Sequence, residues 1–202
     1  MALLAAQPLL APHLDARWLV VLRGAVAAIL IAAFWRSYVE LRDAERIPAR
    51  EYALAIAVGL AIFAVWITFD SGWAAFDSGA GFAPLRDDGS VDPALALLKL
   101  ASLVVVVPLM EELFWRSFLM RWIDKRDFLG ADARGASFMA FALSSALFAM
   151  EHAMWFAGLV AGAAYAGLYK RAGNLRLPII SHATTNGTLG IWILATGSWR
   201  YW

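Results

Sequence analysis

The sequence predicts an all-α fold: a polytopic transmembrane helical bundle of about six spans with a polar cavity inside the membrane. Three observations lead there. Of 202 residues, 62% are hydrophobic and 16% charged, with mean hydropathy +0.65, whereas soluble domains run about 45–50% apolar and about 25% charged. Six apolar stretches reach the length of about 17–25 residues that a membrane-crossing helix needs. Finally, carboxylates, an arginine and two imidazoles recur inside those stretches. At membrane depth a charged group costs about 2.5–3.5 kcal/mol on insertion scales, so groups kept there have a use.

Residues 1–17 carry Pro8, Pro12, His13 and Asp15 and lack a basic leader region, so they read as a short external tail rather than a signal peptide. His13 is assigned no role. The predicted spans follow at 18–39, 51–69, 93–122, 136–152, 154–170 and 177–196. The first two, with an extracytoplasmic loop, make an N-terminal region over 18–92, and 93–202 is the candidate catalytic core. No repeat or low-complexity linker separates them. The third span is too long for a simple crossing, and Pro108 should kink it, because proline cannot donate the backbone bond one turn back.

Composition also excludes function classes. A formal net charge of +1 does not suit a nucleic-acid binder working through a basic surface. The absence of cysteine removes disulfides, thiolate nucleophiles and Cys-ligated zinc. Ten tryptophans fit an interfacial aromatic belt, with Trp18, Trp66, Trp73, Trp122, Trp155, Trp192, Trp199 and Trp202 near segment ends.

Basic residues set the orientation. Loops 40–50, 121–134 and 170–176 hold ten of them, Arg121 included, against three (Arg17, Arg86 and Arg200) on the other side. The positive-inside rule puts the first group in the cytoplasm and both termini outside. Arg23, Arg36 and Lys99 lie within spans, from which their long stems can snorkel to an interface. Arg116 needs an internal partner.

Residues four apart share a helix face. Glu112 with Arg116, Phe148 with His152 and His182 with Asn186 are such pairs. Glu111 points about 100° away from Glu112, so the two carboxylates take different roles. Glu112 is neutralised by Arg116, as a buried charge must be, and Glu111 faces the cavity. A desolvated carboxylate beside a second one suits a general base working near neutrality. His152 can share the water that Glu111 activates, and His182 and Asn186 can donate to a developing oxyanion. Together these groups suffice to hydrolyse an amide without a covalent intermediate.

Taken singly, each group also has a structural reading. A Glu–Arg pair one turn apart clamps helices, and a membrane histidine or His-x-x-x-Asn serves as polar glue. Phe148 alone is core, with a secondary candidacy as a substrate-binding residue. Gly158 and Gly162 form a GxxxG spacing that favours close helix packing. Glu151 reads as a span-end residue in the headgroup region.

The ordered set narrows the choice. Glu111-Glu112-Leu113-Phe114-Trp115-Arg116, Phe148-Ala149-Met150-Glu151-His152 and His182-Ala183-Thr184-Thr185-Asn186 resemble the motifs of the CAAX-protease and bacteriocin-processing (CPBP, or Abi) family of intramembrane glutamic endopeptidases. That family includes the Ras-converting type II CAAX prenyl endopeptidase. The resemblance covers about residues 95–195. It implies that Glu111 and His152 activate water, that Glu112 and Arg116 hold the site, and that His182 and Asn186 form the oxyanion hole. It further implies no cofactor, a peptide or protein substrate that is prenylated, leader-bearing or membrane-anchored, and residence among lipids in a bacterial inner membrane. Ser117 departs from the family's usual glycine, and Glu151 from its usual small or apolar residue.

Two other classes compete with this reading. A non-catalytic membrane immunity or chaperone factor would not need Glu111. A metal-dependent membrane hydrolase or transporter would use Glu111, His152 and His182 as ligands, although the chain has no His-Glu-x-x-His run and no repeated halves.

One difficulty arises from helix geometry. Glu111 lies about 15 Å along the helix from Arg121, whereas His152 lies about 27 Å from Arg134. For both to meet at one depth, the intervening hairpin must project from the membrane or a helix must break.

Overall fold

The computed structural model describes residues 16–42, 46–76 and 81–202. The tail through residue 15, with His13, lies outside them. Among the described residues there are helices and turns but no strand.

Six long helices match the six predicted stretches: α1 (Ala16–Ala33), α2 (Ala49–Thr68), α3 (Pro93–Asp124), α4 (Phe138–Met150), α5 (Trp155–Ala172) and α6 (Arg176–Thr196). The largest departure is α1, which stops at Ala33. A 3-10 turn (Trp35–Ser37) and a single α-turn (Val39–Arg42) follow, and the latter carries Glu40 back to the bundle. Local chemistry sets the other boundaries. Asp92 caps α3 by accepting from the Ala94 and Leu95 amides, with Pro93 in the first turn where its missing N–H costs nothing. Ser137 caps α4 through the Ala140 amide. Gly173 and Gly197, at φ of 72° and 70°, end α5 and α6 in the left-handed conformation glycine adopts without strain.

By length and composition α2 and α3 are able to cross a membrane. Only 17% and 22% of their apolar windows are buried, unlike the core helix of a soluble protein. Leu54, Ile56 and Leu60 of α2 and Leu97, Val105 and Met110 of α3 face outward, an apolar surface a soluble monomer rarely presents.

Helix α6 lies between α2 and α5, α4 packs along α5, and α1 packs along α3. The α4–α5 seam is close because of its glycines. A Cβ on Gly162 would sit 3.0 Å from Ser145 O, and one on Gly158 3.2 Å from Ala149 Cα, so the expected GxxxG packing is found. At the opposite seam a Cβ on Gly59 would collide with Ser181 O, and Thr185 Oγ1 donates to Gly59 O at 2.9 Å.

Around Pro108, the expected kink position, α3 runs on without a break but changes helical register. Residues Ser102–Val106 and Leu113–Met120 are π-helical, with the α-helical Val107–Glu112 between them. In the first π segment the Val107 amide reaches back five residues to Ser102 O. The next bond in that register would run from Pro108 to Leu103 O, and proline has no N–H. Leu103 O is instead satisfied from another helix: Asn186 Nδ2 donates to it at 2.9 Å.

The depth difficulty dissolves in the hairpin between α3 and α4. Asp124 accepts from the Ser137 amide at 2.6 Å and from its hydroxyl, so the hairpin mouth is pinned between those two residues. From there Glu111 and His152 are about 20 and 22 Å back along their helices, a difference of less than one turn. Arg121, expected in the cytoplasmic loop, is a buried helical residue. Without Arg121 the loops on that side still hold nine basic residues against three.

A polar hub forms at that end of the bundle. Glu40 Oε2 accepts from Arg121 Nη2 at 3.0 Å and from Ser117 Oγ, and Glu40 Oε1 accepts from Tyr169 Oη at 2.6 Å. Ser117, which departs from the family's pattern, thus has a partner in this chain. Glu40→Ala is expected to lower stability by about 1.5–3 kcal/mol, the range for hydrogen bonds to a charged group, because it takes the carboxylate from Arg121 and the acceptor from Ser117 and Tyr169. An unchanged melting temperature in detergent would show that the hub carries no stability.

At the other end, the C-terminal turn folds back over the bundle. Asp70 accepts from Tyr201 Oη and pairs with Arg200, and Phe82 N donates to Trp202 O at 2.7 Å. The Tyr201 hydrogen bond holds the Asp70 carboxyl below the usual carboxylate range, with the Ser71 hydroxyl and the Arg200 charge assisting. A depressed folded-state pKa contributes stability that is complete above the unfolded value of about 4 and is lost as pH falls through the folded value. Protection of residues 198–202 from hydrogen exchange, taken relative to the intrinsic rate at each pH, should therefore fall below about pH 4 in wild type, and this acid dependence should be absent in Asp70→Asn.

Candidate active site

The two π segments of α3 flank the two carboxylates. Glu112 and Arg116 are 0% and 1% exposed, with Arg116 Nε 3.2 Å from Glu112 Oε2. Arg116 Nη2 donates to Gly162 O at 3.0 Å, and its guanidinium lies 4.6 Å over the Phe148 ring. Arg116 is thus tied to Glu112 along its own helix and to the α4–α5 seam across the bundle. The internal partner expected for Arg116 is Glu112.

Glu111 turns the other way. It lines a cavity of about 180 Å³ with Trp66, Phe148, His152, His182 and Asn186. Its Oε2 is buried and makes no hydrogen bond. Five of the residues singled out in the sequence therefore line one cavity, with Glu112 and Arg116 behind it.

His182 sits between the carboxylates. Its Nδ1 is 2.9 Å from Glu112 Oε1 and its Nε2 is 4.0 Å from Glu111 Oε2. A carboxylate accepts, so Nδ1–H donates to Glu112 and Nε2 is directed toward Glu111. A gap of 4.0 Å is too long for a direct hydrogen bond. The ring is stacked on Tyr165, 4.8 Å between centroids at 17°. Tyr165 in turn donates to Thr185 Oγ1 at 2.8 Å.

His152 lies just past the end of α4, where Nδ1 is 2.8 Å from Phe148 O. A carbonyl only accepts, so Nδ1 carries the hydrogen and Nε2 is left with its lone pair. The ring is held edge-on by Trp66 at 5.3 Å and tilted against Phe148 at 4.6 Å. Phe148 is 1% exposed and touches Trp115, His152, Tyr165 and His182. Asn186 lines the cavity while one of its amide hydrogens is given to Leu103 O. Glu151 is exposed at the end of α4.

Several contributors were not singled out. Trp66 and Trp202 were assigned to the interfacial belt, yet both line this cavity; Trp66 faces inward because His152 offers it a ring contact. The signal for Trp66 was available, since Ala55, Gly59, Ile62 and Trp66 form one stripe of α2. Tyr165 likewise continues the face of Gly158 and Gly162. Lys99 was expected to snorkel but is only 8% exposed, with its ammonium 4.3 Å over the Phe82 ring.

Among the described residues, no group of three or more His, Asp or Glu side chains is placed to hold a metal ion. Residues 93–188 match the family model described as type II CAAX prenyl endopeptidase Rce1-like. No curated protein and no solved structure matches the chain.

Proposed function

With residues 93–188 an Rce1-like domain of the type II CAAX prenyl endopeptidase kind, we propose that the protein is an intramembrane glutamic endopeptidase. It is a multi-pass protein of a bacterial inner membrane, with six spans and both termini outside, and it acts on a prenylated, leader-bearing or membrane-anchored peptide. The observation that carries this reading is Glu111 Oε2, buried, without a partner, and in one small cavity with two histidines and an asparagine.

In this mechanism a water lies between Glu111 and the lone pair of His152 Nε2. Glu111 takes one proton as the water oxygen bonds to the scissile carbonyl carbon. The carbonyl π electrons move to oxygen, and that oxyanion is met by His182 Nε2–H and the second amide hydrogen of Asn186. With Nδ1–H committed to Glu112, donation from Nε2 uses the imidazolium form, which balances the two carboxylates against Arg116. The tetrahedral intermediate then expels the amine, which leaves with the proton that Glu111 received, and Glu111 returns to the carboxylate. Phe148 acts as a positioning residue: its carbonyl fixes the His152 tautomer and its ring backs Arg116. Glu112 and Arg116 hold His182 in place.

The reading is tested with purified protein and a library of prenylated and unprenylated peptides, assayed with and without a chelator. Cleavage insensitive to chelator supports the glutamic mechanism. Full inhibition that is restored by a divalent metal would replace it with metal-dependent hydrolysis. Asn186→Ala should lower kcat by about 10²–10³ with little change in KM, as expected for a donor used in the transition state. It should also cost about 1–3 kcal/mol of stability, because Leu103 O loses its donor. A rise in KM alone would make Asn186 a binding group.

A further inference from the structure

We propose that the groove between α1 and α3 is a binding site for an anionic phospholipid, with the phosphate held by Lys99 and Arg23. The groove measures about 720 Å³, within the range of small-molecule sites. Its length is lined by aliphatic side chains, including Ala27 and Leu30 of α1 and Val106 and Met110 of α3, and its polar end holds Arg23 and Lys99.

That end is short of negative charge. Lys99 is more than nine-tenths buried, and its ammonium is covered by the rings of Phe82 at 4.3 Å and Trp202 at 5.5 Å. Aromatic faces supply only partial negative charge, and among the described residues no carboxylate pairs with it. Arg23 gives its Nε–H to Leu19 O at 3.3 Å, which leaves the rest of its fork. Trp202 Nε1, on the same wall, is buried without a hydrogen-bond partner. Two cations and an idle N–H around one space suit a phosphate, because a buried cation is stable only when paired.

The depth fits a lipid. Lys99 lies six residues into α3, about 9 Å from its start, and Met110 lies about 16 Å further along. A headgroup at Lys99 therefore leads into an apolar channel of acyl-chain length. The groove opens on the outward side, where Leu30 and Met110 are exposed. An extended peptide laid there would leave its backbone N–H and C=O groups facing aliphatic side chains, whereas an acyl chain has none to satisfy. Among the described residues the polar end offers no acid to meet a choline, so a net negative headgroup is preferred over a zwitterionic one. Leu103, Val107 and Trp202 line both this groove and the Glu111 cavity, so the lipid would sit one wall away from the candidate active site.

The test is native mass spectrometry of the full chain in detergent, titrated with phosphatidylglycerol or phosphatidylcholine of identical acyl chains. Phosphatidylglycerol should bind roughly tenfold more tightly, as two nearby cations predict. Lys99→Met should abolish the preference and Lys99→Arg should retain it. Should Lys99→Met not fold, Arg23→Gln at the groove mouth should still weaken phosphatidylglycerol binding several-fold. Glu111→Gln should bind phosphatidylglycerol like wild type, which separates this site from the chemistry. Equal affinity for the two lipids, or a preference that survives both charge removals, would overturn the proposal and leave only annular lipid. Loss of the preference together with Lys99-dependent capture of a lipidated peptide carboxylate would give the groove to substrate.

Discussion

Glu111→Gln is expected to abolish peptide-bond cleavage while the protein still inserts, purifies as a single species and melts like wild type. The substitution is nearly isosteric, and Glu111 Oε2 makes no hydrogen bond whose loss would loosen the fold. It removes the one carboxylate that, among the described residues, lines the cavity, while Arg116 is committed to Glu112. General-base catalysis contributes about 10²–10⁴ in rate, and here the same group must also return the proton to the leaving amine, so the loss should lie at or beyond the upper end. Turnover of a substrate that wild type cleaves, measured beside the variant's melting curve, checks both halves. Full activity in a folded Glu111→Gln protein would end the glutamic reading.

Arg116→Ala is expected to damage folding and rate together. It strips the fully buried Glu112 of its cation, removes the donor to Gly162 O and leaves a void against Phe148. Removing one member of a buried ion pair costs about 3–5 kcal/mol, which in a chain of this size is a melting temperature lower by roughly 6–20 °C. Arg116→Lys should recover only part of the loss, because an ammonium cannot serve Glu112, Gly162 O and the Phe148 face with one planar fork. If Arg116→Ala melts like wild type, the clamp assignment is wrong and the roles of Glu111 and Glu112 must be exchanged.

The helices and their motifs were legible because both rest on local patterns. Apolar run length gave the six helices, and four-residue spacing gave Glu112 with Arg116, Phe148 with His152 and His182 with Asn186. Hidden were the pairings between elements. That His182 grips Glu112, that Asn186 answers Leu103 O and that Glu40 gathers Arg121, Ser117 and Tyr169 depends on which helix docks beside which. No single-helix periodicity encodes that. The early end of α1 was missed because the residues after it remain apolar, and hydropathy does not register a change of direction. Arg121 and Lys99 were misplaced for a related reason: a basic residue near a segment end looks solvated until its neighbours are known.

The exchange between Pro108, Leu103 and Asn186 bears on how the bundle assembles. On its own, α3 is an incomplete helix, with one carbonyl that its own backbone cannot satisfy. In hydrocarbon an unsatisfied carbonyl costs several kcal/mol, so α3 inserted alone should be restless at the turn before Glu111. Its missing donor is supplied from the last long helix of the chain. When α6 docks, it closes that gap and in the same motion brings His182 onto Glu112. The Leu103 carbonyl, on the helix bearing the carboxylates, gains its donor only when His182 and Asn186 are already in place. A half-built bundle would thus hold Glu111 without the His182 and Asn186 that lie beside it in the finished protein, and the candidate site would be complete only when the bundle is whole.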